Sequence, residues 1–392
     1  MPISDSSEWR GWLDRIAGAD TVLERLADPA DPLARAEVHR LLFAALATGY
    51  QTAFADPDHP DFVPSVSSIL NTVGVNPDFI YGAARIDGKG QYRLSGTRGD
   101  GVFVFLDLVA GGLGPMEDLG PSVGMIDLDT CTLGPDGAFD ILLGGERPDG
   151  HDGDWFPLDP RAITIGLRHA YYDWGAGRDL RIAIERVDRP VGSAPIPVAE
   201  INRRLDRLAA FVERYATFAL SYGQQQREQG FVNTLAYDDW AGRGGVAGQH
   251  YYQGIFRLAR GEAMILETPL PDQVRYWNVQ LNDPLWNTID WINHQSSLNA
   301  AQARLDSDGR FRAVIALDDP GIPNWLDPAG RSEGSLMLRW TGASSRPEPV
   351  LKIVPAADIR SHLPPDTPFV TPQQRDETIR VRRRGAQWRR RW

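Results

Sequence analysis

The densest run of chemistry-bearing side chains lies at residues 286–294, which read Trp-Asn-Thr-Ile-Asp-Trp-Ile-Asn-His. No strand or helix period runs through it, so it reads as a loop beside a sheet, where sites tend to sit. On one helical turn Asp290 and His294 share a face at i, i+4. A carboxylate beside an imidazole raises its pKa and fixes its tautomer, which is what a general base needs. The structural alternative is a buried His–Asp hydrogen bond that merely holds the loop. Trp286, Trp291 and Asn293 complete this set as substrate-contacting residues.

Two further groups supply proton donors and anchors. Tyr172 stands beside Asp173, and a phenol near a carboxylate can donate a proton or bind a substrate oxygen. Cross-strand aromatic packing with a rim carboxylate is the competing reading. Tyr81 is the other candidate donor, on the opening strands with Asn76, Asp78 and Arg93. Arg93 is expected either to pair with Asp78 or to hold a ligand carboxylate bidentately. In the turn Asn324-Trp325-Leu326-Asp327-Pro328, Trp325 offers a stacking platform and Asn324 a polar anchor. As a corner, the same turn would use Asn324 to satisfy backbone groups and Trp325 to plug the end of a sandwich.

Other signals are weak. The acidic run at 149–154 lacks the EF-hand spacing and reads as a solvated turn. The glycine-rich run at 242–247 has no strand before it and no helix after it, so it reads as a flexible loop. There is no nucleophile elbow and no H-E-x-x-H. No organic cofactor and no metal are expected from these motifs, although scattered histidines can still converge through folding.

The elements that must position these residues follow from periodicity. Asp31 and Pro32 form an N-cap and N1 pair, followed by apolar residues at helical spacing as far as Tyr50. From about Asn76 the period becomes two, with strands predicted near 79–83, 92–94, 102–106, 140–143, 163–168 and 180–187. Val198, Ile201, Leu205, Leu208, Val212, Tyr215 and Ala219 then mark one long amphipathic helix. A second series of strands follows near 254–258, 263–268, 274–281, 311–317, 334–340 and 349–354. One phrase occurs in both series. It opens on Asp136-Gly137 or Asp308-Gly309 and breaks at a loop of Pro, Gly and Asp. It places Trp155 or Trp325 before Leu-Asp-Pro and ends on Leu167-Arg168 or Leu338-Arg339. The echo favours a structural corner for the Trp325 turn, because architecture repeats more readily than chemistry.

The expected fold is mainly β with helical insertions (α+β). It comprises two antiparallel β-sandwich or jelly-roll-like blocks, each preceded by a helical segment. The divisions are a helical segment at 1–60, a first β-block at 61–192, a linking helix at 193–230, a second block at 231–360 and an Arg-rich tail at 361–392.

Bulk properties narrow the function. The chain has 392 residues and a net charge of −11, which disfavours nucleic acid as a partner. No apolar run is long enough to span a membrane, and the N-terminus shows no secretory pattern, so a cytoplasmic location is the default expectation. The single cysteine, Cys131, builds neither a disulfide nor a cysteine zinc site. The end of the chain, 375–392, carries eight arginines against two acids. Such a tail can dock on its own chain, on a second copy in a homo-oligomer or on an anionic surface. Trp388 and Trp392 favour docking over a solvated end.

The second block carries Tyr276-Trp277-Asn278-Val279-Gln280-Leu281, Ser297-Leu298-Asn299 with Gln302, Asp319-Pro320-Gly321, Asn324-Trp325-Leu326-Asp327, Gly330, Gly334 and Arg339-Trp340. In these motifs it resembles the bacterial domain of unknown function 1214 family. The first half is similar to longer members through Asn76-Pro77-Asp78 with Tyr81, Tyr92-Arg93-Leu94-Ser95-Gly96 and Tyr172-Asp173-Trp174. Pro328 departs from the pattern. The resemblance implies β-sandwich or jelly-roll domains and little about activity.

The functional expectation is a cofactor-independent enzyme of bacterial small-molecule catabolism. It would perform acid–base chemistry (hydrolysis, elimination or isomerisation) on a small, partly apolar or aromatic molecule. Asp290 and His294 would be the acid–base pair, with Tyr172 or Tyr81 as donor. The alternative is a non-catalytic carbohydrate- or small-ligand-binding protein on the same scaffold.

Overall fold

The structure, a computed structural model, describes residues 6–26, 29–111, 120–240, 245–246 and 248–389. Three helices form one layer: α1 (Ser6–Ala17), α2 (Pro32–Phe54) and α3 (Val198–Glu228). The Asp31 carboxylate accepts from the Leu33 N–H at the start of α2, with Pro32 at the first position. Val38, Leu41 and Ala45 of α2 pack against Leu208, Val212 and Tyr215 of α3.

The first block contains β1 (Val63–Pro64), β2 (Phe79–Arg85), β3 (Tyr92–Thr97), β4 (Phe103–Ala110), β5 (Ser122–Asp127), β6 (Ala138–Gly144), β7 (Asp154–Pro157), β8 (Ala162–Ala170) and β9 (Arg181–Arg186). The second contains β10 (Ala236–Asp238), β11 (Gln249–Arg257), β12 (Glu262–Thr268), β13 (Val274–Asn282), β14 (Ser297–Asn299), β15 (Phe311–Ala316), β16 (Trp325–Leu326), β17 (Glu333–Ala343) and β18 (Val350–Pro355). The first block orders its sheets β1-β2-β8-β4-β5 and β7-β6-β3-β9, and the second β10-β11-β17-β13-β14 and β16-β15-β12-β18. Each strand thus has a counterpart nine places later. Even the parallel pair of each block, β6 with β7 and β15 with β16, is kept. The repeated phrase is therefore the β6–β8 and β15–β17 unit of two β-sandwich-like halves.

The two larger sheets are buried on both faces. From β4, Val104, Leu106 and Leu108 enter the core of the first sandwich, whereas Phe103 and Phe105 turn outward. There they meet the second block: Tyr276 of β13 lies 5.3 Å from Phe79 and 5.7 Å from Phe103, centroid to centroid. Such two-sided burial explains why β4 reads as a near-continuous apolar run rather than as strict alternation.

The Arg-rich tail docks on its own chain. Thr371 and Gln374 form a capping box that starts α4 (Pro372–Trp388). Arg375, Arg382 and the following Arg389 recur every seven residues and are buried. Arg375 pairs with Asp319 at 2.9 Å and bonds Gln295. Arg382 donates to the Trp291 carbonyl and to Ser297, and Arg389 donates to the Pro77 carbonyl. The Arg382 and Arg389 guanidiniums lie 4.4 and 4.5 Å from the centre of the Trp174 ring. Burial pushes the Arg382 guanidinium down to about 9. Trp388 remains exposed, and Trp392 lies outside the described residues.

Candidate functional site

The repeat brings its own Leu-Arg ends together. In the first block Tyr81 of β2 lies opposite Arg168 of β8, and in the second Tyr251 of β11 lies opposite Arg339 of β17. The strand on the other side of each arginine supplies its acceptor. Arg168 Nη1 donates to Asp107 at 2.9 Å, and Arg339 Nη1 donates to Gln280 at 2.5 Å. Asp107 and Gln280 are themselves register counterparts, since Phe105 faces Arg168 and Asn278 faces Arg339 two positions earlier. Each half thus offers a Tyr–Arg–acceptor set on the same three strands.

Both sets open on one cavity of about 190 Å³. Tyr81, Arg168, Tyr251 and Arg339 line it, with Phe79, Trp240, Trp286 and Met337 as an apolar wall. The wall is continuous with the helical core through Tyr222, which stacks on Trp286 at 4.0 Å. Two non-glycine residues here, Val73 and Trp286, hold φ of 57° and 63°, a conformation that costs energy and clusters at functional sites. Between them and the arginine sits Gly74, whose carbonyl accepts from Arg339 at 2.8 Å and whose N–H donates to the Trp286 carbonyl at 2.7 Å. A Cβ on Gly74 would stand 2.5 Å from the Trp286 indole nitrogen, so only glycine lets this corner close.

The electrostatics suit an anion. Burial raises the Tyr81 phenol above its ordinary range, with Arg339 and Arg168 pulling against it, so it stays protonated at neutral pH. Burial opposes the charge of Arg168, but the neighbouring Asp107 carboxylate offsets it and the guanidinium stays charged. The Tyr81 hydroxyl accepts from the Asn76 N–H at 2.9 Å, and the Tyr251 hydroxyl accepts from the Gln249 amide. Among the described residues neither hydroxyl proton has an acceptor, which leaves both for a ligand oxygen.

Of the residues singled out in the sequence, Tyr81 and Trp286 meet in this cavity; the others do not. Asp290 and His294 do not bond through their side chains. His294 Nδ1 takes Asp327 at 2.7 Å, while Asp290 caps its own turn through Asn293 and the Ile292 N–H. The helical turn does form, as the His294 N–H to Asp290 carbonyl bond shows, but a nearer carboxylate captures the ring. Asn293 also accepts from Arg383 of α4. Arg93 pairs with Asp140 across the β3–β6 ladder, not with Asp78, because both side chains point to the exposed face there. Asp78 is buried and accepts from Trp174, Asn299 and Tyr276. Tyr172 is committed to the Trp277 N–H and the Arg275 carbonyl, and Asp173 caps Gly175. These two line a separate cleft of about 640 Å³ under α4. Trp291 packs with Trp174 beneath the tail. Trp325 donates to the Ala316 carbonyl and Asn324 bonds the Arg304 and Arg312 carbonyls, so this turn is a corner of the sandwich. The run at 242–247 lies mostly outside the described residues.

Residue type and spacing mark neither Tyr251, Arg339 nor Gln249 as site residues, and they place Arg168 only at the edge of the stretch that holds Tyr172 and Asp173. The signal was present, since both copies of the phrase end on Leu-Arg. Among the described residues no group of three or more His, Cys, Asp or Glu side chains gathers as metal ligands, and no helix is long and apolar enough to cross a membrane.

Comparison with solved structures finds a putative uncharacterised protein from Burkholderia cenocepacia with a TM-score of 0.83 and 28% identity. The match covers 89% of this chain and 97% of the other. A protein from Vibrio parahaemolyticus matches with a TM-score of 0.46 and 13% identity, over 81% of this chain and 98% of that one. No family model and no curated protein matches. The chain is thus similar to an uncharacterised protein along nearly its whole length.

Proposed function

We propose that the cavity between the two blocks is the site of a cofactor-independent enzyme acting on a small organic anion with an apolar or aromatic body. The observation that carries this reading is the meeting of two Tyr–Arg sets, one from each half, in a single aromatic-walled cavity. A cavity of about 150 Å³ is enough to hold a benzene ring, so the volume here suits a small substituted ring. Arg168 and Arg339 would hold the anion, and Tyr81 would donate its proton to an oxygen that gains charge during hydrolysis, elimination or isomerisation. The acid–base role moves from Asp290 and His294, which line none of the clefts described, to Tyr81. The resembling motifs support placing the chain with the domain of unknown function 1214 family, and the small aromatic-walled cavity suits chemistry in bacterial small-molecule catabolism.

One observation favours a non-catalytic small-ligand receptor as the second reading: the described lining holds no carboxylate, imidazole or thiol to take up a proton. The test is a thermal-shift screen of small aromatic and aliphatic carboxylates, followed by proton NMR of each stabilising compound with wild type and Tyr81→Phe. An enzyme predicts turnover that falls about 10²-fold or more in Tyr81→Phe while stabilisation by the ligand persists. Stabilisation with no turnover in either protein supports the receptor. If no carboxylate stabilises the wild type, the cavity reading fails.

A further inference from the structure

The arginines of the two Tyr–Arg sets are not electrically equivalent. Arg168 faces a carboxylate, Asp107, which is buried and otherwise held by the Ser122 hydroxyl. Arg339 occupies the same place in the second half but faces neutral groups: the amides Gln280 and Asn278 and the Gly74 carbonyl. It is 4% exposed, and among the described residues no carboxylate pairs with it. A buried charge without a counter-ion is costly, and it is retained where something binds to offset it. The charge difference between the two sets thus comes down to one position on equivalent strands, Asp107 against Gln280.

We infer that this cavity selects a monoanion, whose single carboxylate answers Arg339, and that Asp107 is the residue that excludes a second negative charge by already answering Arg168. The inference rests on the cavity reading above and goes further by naming the charge class of the ligand and the residue that sets it. A dianion would bring its second carboxylate toward Asp107, where like-charge juxtaposition opposes binding.

The experiment measures thermal shift and calorimetric affinity for three probes of similar shape: benzoate, neutral benzamide and dianionic phthalate. The proteins are wild type, Asp107→Asn, Gln280→Glu and the double exchange, each checked for folding by its unliganded melting curve. Wild type is expected to prefer benzoate over both other probes by about tenfold or more. Gln280→Glu gives Arg339 an internal counter-ion, so benzoate should lose its advantage over benzamide. Asp107→Asn removes the carboxylate that Arg168 pairs with and should shift the preference to phthalate. The double exchange restores one net charge and should bring the benzoate preference back, even if either single variant folds poorly. Benzamide binding as well as benzoate, or phthalate binding better, in wild type would overturn the inference and leave the cavity reading standing. No stabilisation by any probe would sink both.

Discussion

The two facing sheets share a strand order, yet one presents rings and the other presents amides around one ring, Tyr276. On the first block the inward residues are Phe79, Phe103 and Phe105; their register counterparts on the second are Gln249, Tyr276 and Asn278. Gln280 and Asn299 extend the amide side, and both are buried. The pairs that stayed alike are Tyr81 with Tyr251 and Arg168 with Arg339, and all four face the common cavity, beside the diverged pair Phe79 and Gln249. A duplicated domain that packs against its own copy can fill the interface with complementary surfaces. The positions that remain equal are then the ones that both halves must still contribute to the same place.

The largest test of this contrast compares the two arginines. Arg168→Met should destabilise the protein by about 3–5 kcal/mol, because it leaves Asp107 buried and unpaired. Arg339→Met leaves only neutral acceptors and should cost about 1–3 kcal/mol. Urea denaturation at neutral pH reads both, and equal losses would erase the charge asymmetry between the halves. A second test uses His169, whose register counterpart is Trp340. Burial holds the His169 imidazole down to about 3, against 6.5 for an ordinary histidine. The unfolded chain therefore takes up the proton first, so this contribution is complete above pH 6.5 and declines as the pH falls. By about pH 4.5 the loss should reach about 2–3 kcal/mol, at ~1.4 kcal/mol per unit. His169→Gln should flatten that limb, and an unchanged slope would show that acid sensitivity arises elsewhere. The smallest effect concerns the two Leu-Asp-Pro corners. Asp159 pairs with Arg161, whereas Asp327 pairs with His294. The hydrogen bond to Asp327 raises the His294 pKa, so the contribution is full below pH 6.5 and fades as the pH rises through the raised value. His294 is 38% exposed, so Asp327→Asn should cost only ~0.2–1 kcal/mol near pH 5.5 and less at pH 9. A loss independent of pH would assign Asp327 to the turn alone.

Much of this fold was legible because long elements carry their burial pattern in the chain. The predicted strands near 79–83, 163–168, 274–281 and 334–340 fall within β2, β8, β13 and β17. The short edge strands β1 and β16 span two residues each, too few to show a period. Helix α4 escaped notice because its buried face is made of arginines every seven residues and not of leucines. The site was only partly legible. Tyr81 and Trp286 were singled out for their chemistry, while Arg339 looked like the end of a repeated strand.

The sequence alone determined the duplication, the two β-blocks and the helices before them, since local periodicity and turn chemistry act within tens of residues. Only the tertiary structure decided which faces of those blocks meet. That choice took His294 from Asp290 and gave it to Asp327, buried the arginines of the tail and put Arg168 beside Arg339. The physical reason is that side-chain partners are settled by distance in space. Between strands so far apart in the chain, distance depends on how the sheets pack and not on the spacing of the residues.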